Sequence, residues 1–319
     1  MMKNIKQKLG LGGATFGNIL AEGMFGGVTE EESFEIINHA FRSGIKIFDT
    51  APYYGFAKSE LWYGRALKKI KRNEYNLTSK CGRLIVNHNS QKQKVSSKEI
   101  ENNKLEAIYD YSPSGIRRSV EESLERLQTS YLDTLLLHDP DQANKEYESI
   151  KYAFPEMIKL KEEGLVRSIG CGMNQWEMPA RFMKEIDIDK VLLAGRYTLL
   201  ENKNSKIFLD ICKKYEVKII IGGPFNSGIL ARDLNKKVSY DYELANDEVI
   251  SKVKKIENIV NKFGVTLREA ALNFVAMNDQ VYSVVPGMSS TSEVDDNISS
   301  LNKKIPDEVW LELKKEEYI

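Results

Sequence analysis

No apolar run in this sequence approaches the ~18 residues that would suggest a membrane span. The opening Met1-Met2-Lys3-Asn4-Ile5-Lys6 carries charge with no hydrophobic segment behind it, so no secretory signal is expected. Cysteine is scarce. Cys81, Cys171 and Cys212 share no metal-type or redox-motif spacing, so free thiols, a cytoplasmic location and no metal are expected. Net charge is also missing: 46 Lys and Arg balance 46 Asp and Glu. That argues against nucleic acid or an anionic membrane as partner. A Gly-x-Gly-x-x-Gly turn between strand and helix is lacking too, since Gly10-Leu11-Gly12-Gly13 has no third Gly. An open doubly wound sheet binding a dinucleotide is therefore rejected.

What is present is alternation. Strand-type runs fall at 8–13, 45–49, 75–80, 132–138, 165–170, 191–194, 217–222 and 281–285. Helical patterns separate most of them, at 29–42, 59–69, 113–128, 146–163, 247–263, 266–277, 292–301 and 307–315. Thr29 with Glu32 is a capping box, Gly44 and Gly164 are stops, and Pro155 is a possible kink. Residues 83–112 are rich in Asn, Gln, Lys and Ser and read as a long loop, a kind that is usually functional or mobile. A second insert, near 239–246, is acidic and Tyr-rich. With no linker in sight, this order predicts one α/β domain over residues 1–319, a (β/α)₈ TIM barrel with its chemistry at the C-terminal ends of the strands.

Three of those strand ends carry reactive groups. Ile47-Phe48-Asp49-Thr50-Ala51-Pro52-Tyr53-Tyr54-Gly55 ends on an acid and a phenol, Thr78-Ser79-Lys80 on an amine, and Leu136-Leu137-His138 on an imidazole. A free Tyr has a pKa near ~10, too high for proton transfer at neutral pH unless a neighbouring cation lowers it. Lys80 can supply that charge, Asp49 can hold the Lys, and His138 can orient a substrate oxygen. The set suits proton transfer at a carbonyl or alcohol, hence hydride chemistry. Each residue alone is more often structural or solvated at such a place; the shared pattern on consecutive strands is what carries the reading. His39 and His88 have no comparable neighbours.

Asp49-Thr50-Ala51, Tyr54-Gly55 with Glu60, Thr78-Ser79-Lys80 and Leu136-Leu137-His138 together resemble the catalytic tetrad of the aldo-keto reductases. Those are barrels that bind a nicotinamide dinucleotide without a Rossmann domain. The resemblance implies Tyr54 as acid/base, Lys80 lowering its pKa, Asp49 pairing with Lys80, and His138 orienting the carbonyl. Further blocks are similar to the D-threo-aldose 1-dehydrogenases, the group of L-fucose and galactose dehydrogenases. They are Ser119 to Leu127, His138-Asp139-Pro140-Asp141, Gly172-Met173-Asn174-Gln175, Leu193 to Leu200 and Gly222 to Gly228. The family pattern is broken at Met173 (usually Ser), Ala194 (usually Gln) and Gly222 (usually the aromatic under nicotinamide).

By the same resemblance Gly13 binds the cofactor, and Asn174 and Arg196 serve its nicotinamide end. Phe225, Ser227, Gly228 and Leu230 serve the pyrophosphate, and Gly287, Ser289, Ser290, Glu293 and Asn297 the adenosine. Phe16 and Tyr53 serve the substrate. The backbone N–H groups of Gly-rich 223–230 independently suit a pyrophosphate nest. Glu293 falls where NADP-preferring relatives carry an Arg for the 2′-phosphate, so NAD is expected over NADP. The implied substrate is a sugar oxidised at its anomeric carbon. Pyridoxal or simple aldehydes stay open as substrates, and so does a regulatory role like that of potassium-channel β-subunits.

Overall fold

The computed structural model describes residues 5–17, 27–88, 94–101 and 105–319. Eight parallel strands lie in sequence order around one sheet. They are β1 (Leu11–Gly12), β2 (Ile47–Asp49), β3 (Asn76–Cys81), β4 (Thr134–His138), β5 (Ile169–Met173), β6 (Lys190–Ala194), β7 (Lys218–Gly222) and β8 (Val281–Val285). The two ends of the sheet meet: Leu9 bridges Val284, Gly12 bridges Gly287, and the Gly12 N–H reaches the Pro286 carbonyl at 2.9 Å. Closure leaves no edge strand. Glycine makes the seam possible, because a Cβ on Gly12 would stand 2.7 Å from the Val285 carbonyl oxygen.

Strands covered on both faces read as continuous apolar runs rather than alternation, and Ile219-Ile220-Ile221 is such a run. Ile47, Leu136, Leu192, Ile220 and Val285 fill the barrel interior. Their outward neighbours, Phe48, Leu135, Leu137, Ile219 and Ile221 among them, join the layer between sheet and helices. Helix α1 (Glu30–Arg42) opens with the Thr29–Glu32 capping box. Helices α2 (Lys58–Leu67) and α3 (Pro113–Arg126) are tied to β3 by a fully buried Glu60. It accepts from Ser79 Oγ at 2.5 Å and from Arg126 Nε at 2.7 Å. That knot fixes the strand that carries Lys80.

Four expectations need correction. The fifth strand is Ile169–Met173 rather than 165–170, because Val166 only bridges Leu132 across the barrel floor; the shift brings Met173 and Asn174 to the strand's upper end. Residues 83–112 are not one loop. Arg83–Asn87 pairs antiparallel with Leu105–Tyr109, and a short helix, Ser97–Glu101, lies between them. Leu84, Ile85 and Val86 are buried there, an apolar run that the surrounding polar residues concealed. Near 146–163 a wide turn at Ser149–Ala153 precedes Phe154–Glu162, with the Phe154 N–H reaching Ser149 O. Pro155, which has no N–H to give, sits in the first turn after it. Helices Glu177–Glu185 and Ser205–Lys214 were not foreseen, and neither opens on a side-chain cap. Among the described residues no helix is long and apolar enough to cross a membrane.

Candidate active site

The upper ends of β2, β3 and β4 converge. Lys80 Nζ lies 2.8 Å from Asp49 Oδ1 and 2.9 Å from the Thr50 carbonyl. It also stands 4.5 Å from the centre of the Tyr54 ring. The Tyr54 ring meets that of His138 edge-on, 5.8 Å away at 89°. Lys80 is 1% exposed, so its charge is answered by these groups rather than by water. All four residues line one cavity, together with Tyr53, Arg83, Asp139 and Asn174.

Burial dominates the titration of the site. It pushes the Tyr54 phenol up to about 12, with the Lys80 cation pulling it the other way. The pull of Lys80 has the expected sign and is outweighed, so in the free protein Tyr54 is a protonated phenol at neutral pH. Burial draws Lys80 down, but the charge of Asp49 and then Tyr54 overcome it and leave the ammonium above its ordinary range. Asp49 is raised by burial, with Lys80 opposing. Burial, then Lys80 and Arg83, hold His138 well below its ordinary value, so the imidazole is neutral. His138 Nδ1 is buried without a partner.

Opposite this group, a small hairpin, Ser239–Tyr240 paired with Glu243–Leu244, reaches over the cavity. Its tip residues Asp241 and Tyr242 both take positive φ, 49° and 67°. Asp241 pairs with Arg196 Nη2 at 2.9 Å, the Tyr242 hydroxyl accepts from Asn174 Nδ2 at 3.0 Å, and the Tyr242 N–H reaches Ser227 Oγ at 3.0 Å. Three residues expected at the cofactor are thus held together by one hairpin tip. The floor beneath is low: a Cβ on Gly222 would lie 3.1 Å from Leu192 Cδ2 and 3.4 Å from Ala194 Cβ.

A second cavity adjoins the first and is lined by Phe225, Ser227, Gly228, Gly287, Ser289, Glu293 and Asn297. Asn297 Oδ1 is buried there with no partner, a free acceptor of the kind that an adenine amino group satisfies. With the glycine-rich turn this fits the adenosine half of a dinucleotide. Glu293 Oε2 accepts from the Ser289 N–H at 2.7 Å, so its carboxylate braces its own loop.

Four expected contacts fall outside both cavities. Phe16 is fully buried and packs on Tyr63 with ring centres 5.4 Å apart. Gly13 faces Ser59 and Tyr63, where a Cβ would collide, and Gly12 takes its place on the cavity wall. Leu230 is fully buried among Leu199, Ile229 and Ile256, and its N–H is spent on the Phe225 carbonyl. Ser290 caps the helix Thr291–Asn302 by accepting from the Glu293 N–H at 3.1 Å. Conversely Arg83, Asp139, Gln142 and Tyr242 line the first cavity and Arg232 and Arg268 the second, all unforeseen. A cation three residues after Lys80, just past the end of its strand, was the one available signal for Arg83.

A closed (β/α)₈ barrel with a buried Lys–Asp pair beneath a phenol at the strand ends defines a class, the barrel oxidoreductases. The sequence profile of the aldo/keto reductase family matches residues 8–316, and the chain belongs to that family. It is an oxidoreductase enzyme of a family that uses a nicotinamide dinucleotide. It is 32% identical over 311 residues to a D-threo-aldose 1-dehydrogenase of a Pseudomonas species, covering 96% of this chain and 92% of the relative. It is 30% identical over 324 residues to the pyridoxal 4-dehydrogenase of Microbacterium luteolum, covering 97% and 93%. Among solved structures, the holo form of an aldo-keto reductase from Bacillus halodurans shares the fold. Its TM-score is 0.75 at 22% identity, over 97% of this chain and 91% of that one.

Proposed function

We propose that this enzyme oxidises the anomeric carbon of a D-threo-type aldose to the lactone, with NAD preferred over NADP. One observation carries the reading. The buried Lys80–Asp49 pair, 2.8 Å apart, lies beneath Tyr54 in a chain 32% identical, over nearly its whole length, to a D-threo-aldose 1-dehydrogenase.

A bound oxidised nicotinamide would supply the acceptor for the hydride that leaves C1. Tyr54 then holds the proton of the anomeric hydroxyl, Lys80 stabilises the phenolate that must receive it, and Asp49 keeps Lys80 in place. The neutral His138 donates a hydrogen bond to the same oxygen as it becomes a carbonyl. Asn174 and Arg196 would hold the nicotinamide end, and Ser227, Gly228 and Phe225 the pyrophosphate. Ser289, Glu293 and Asn297 would hold the adenosine, where a carboxylate suits a free 2′-hydroxyl and repels a phosphate. A cytoplasmic site of action belongs to the same reading.

A screen of aldoses, pyridoxal and simple aldehydes, with both dinucleotides and in both directions, tests it. The expected result is NAD-dependent oxidation of aldoses of L-fucose and L-galactose type. Activity confined to pyridoxal or to aldehyde reduction would overturn the proposal.

A further inference from the structure

Beyond the four converging residues, the first cavity has a second polar wall. Gly82, at φ +93°, turns the chain out of β3 so that the next residue, Arg83, faces the cavity. Asp139 follows His138 directly, itself in the left-handed region at φ +44°. Arg83 Nη2 donates to Asp139 Oδ2 at 2.9 Å and to Gln142 Oε1 at 2.5 Å. The guanidinium carbon lies over two phenol rings, 4.4 Å from the centre of the Tyr53 ring and 5.0 Å from that of Tyr109. Arg83 is 5% exposed, yet its Nε is buried with no partner. Asp139 Oδ2 lies 3.6 Å from His138 Nε2, so this wall begins where the oxygen-orienting group ends.

We propose that Arg83, Asp139 and Gln142 form a subsite that reads the hydroxyl groups of a neutral sugar beyond its anomeric carbon. The inference rests on the aldose reading above. The two charges of the Arg83–Asp139 pair cancel. A carboxylate or phosphate ligand would meet Asp139 and be repelled, whereas a sugar hydroxyl both donates and accepts. Neighbouring hydroxyls can donate hydrogen bonds to Asp139 and Gln142 while accepting one from Arg83. The two rings and the bonds to Asp139 and Gln142 hold the guanidinium in place, so the spacing of the donors is set before the ligand arrives. Pyridoxal, a flat aromatic with few hydroxyls, uses this wall poorly.

The test compares the aldose that the wild type oxidises best with its 2-, 3- and 4-deoxy analogues, in the wild type, Arg83→Met and Gln142→Leu. In the wild type, removing a hydroxyl that the subsite reads is expected to raise KM by more than about tenfold, the scale of one hydrogen bond to a charged group. In Arg83→Met the parent sugar loses the same factor, and at least one deoxy analogue is no worse than the parent. A merely structural ion pair would lower the melting temperature and slow all four sugars alike, leaving their ratios as in the wild type. Unchanged ratios in both variants would overturn the subsite. Should Arg83→Met not fold, the ratios in Gln142→Leu, a change at an exposed position, decide alone. A wild type that oxidises no aldose sinks the functional reading and this inference with it; a wild type active on aldoses with additive losses sinks only the subsite.

Discussion

At the scale of the residue, Tyr54 and Lys80 make separable demands. Replacing Tyr54 by Phe removes one oxygen from the wall of the first cavity and leaves Asn174, Arg196 and the whole second cavity as they are. Turnover should fall by about 10²–10⁴, the usual worth of acid/base catalysis, with NADH fluorescence titrations unchanged. A variant keeping more than about a tenth of the activity would rule out Tyr54 as the acid/base. Lys80 is the cation that pulls the phenol down from the value that burial imposes. In Lys80→Met that pull is gone, and the phenol is expected to climb further. The sign follows directly: aldose oxidation needs the phenolate, so the rise of kcat/KM with pH should move to higher pH as well as losing height. Because the change strands a buried Asp49, whose own charge raises the phenol, the profile is best measured with Asp49→Asn added and compared with that of Asp49→Asn alone. A pH profile that keeps its position would show that Lys80 does not tune Tyr54.

At the scale of the element, the barrel depends on close approach at a few strand positions. Gly170 in β5 faces the Lys190 carbonyl of β6 so closely that a Cβ would overlap it, and backbone cannot rotate away as a side chain would. Gly170→Ala should therefore destabilise by at least the ~1–3 kcal/mol typical of overpacking, read from denaturant midpoints. Gly44→Ala is a useful contrast. Its Cβ would meet nothing within 4 Å, and only the left-handed φ of +97° opposes it. The strands and several helices were legible because each carries a local signal: a run of β-branched residues, a Thr29–Glu32 box, a Pro113 in the first helical turn. Helices Glu177–Glu185 and Ser205–Lys214 and the hairpin Arg83–Asn87/Leu105–Tyr109 were not, since that hairpin pairs residues separated by a polar stretch and local pattern says little about partners so far apart.

At the scale of the whole molecule, the proposed dinucleotide groove crosses the ends of β5 to β8 and the seam where β8 meets β1. Asn174, Arg196, Ser227 and Asn297 follow different strands. A ligand bound to all of them is bound to the closed barrel and to no part of the unfolded chain. NAD at about 100 times its dissociation constant should add about 2.7 kcal/mol, a rise in melting temperature of several degrees. An equal or larger rise with NADP would count against the proposed preference. Glu293→Arg should reverse the order, although Glu293 also braces Ser289. Two arginines line the same cavity, Arg232 and Arg268, the second paired with Asp296 at 3.2 Å, and both would favour a 2′-phosphate once the repelling carboxylate is gone. Thermal shifts with each dinucleotide check both expectations without relying on turnover.

The linear chain by itself determined the order of strands and helices, the placing of Asp49, Tyr54, Lys80 and His138 at three strand ends, and the family to which these belong. Hydrophobic period, caps and short-range motifs are properties of neighbours in sequence, and each can be read there. Which groups share a cavity was decided only by closure of the barrel. Folding carried Phe16, Gly13, Leu230 and Ser290 away from the cleft into packing and capping. It brought Arg83 to Asp139 and Gln142 across 56 and 59 residues of chain, and Tyr242 to Asn174 across 68. Burial, too, belongs to the fold: the phenol that a nearby cation alone would lower stands near 12 because the barrel takes it out of water. Desolvation depends on every element packed around a group, and no stretch of neighbours in sequence contains that sum.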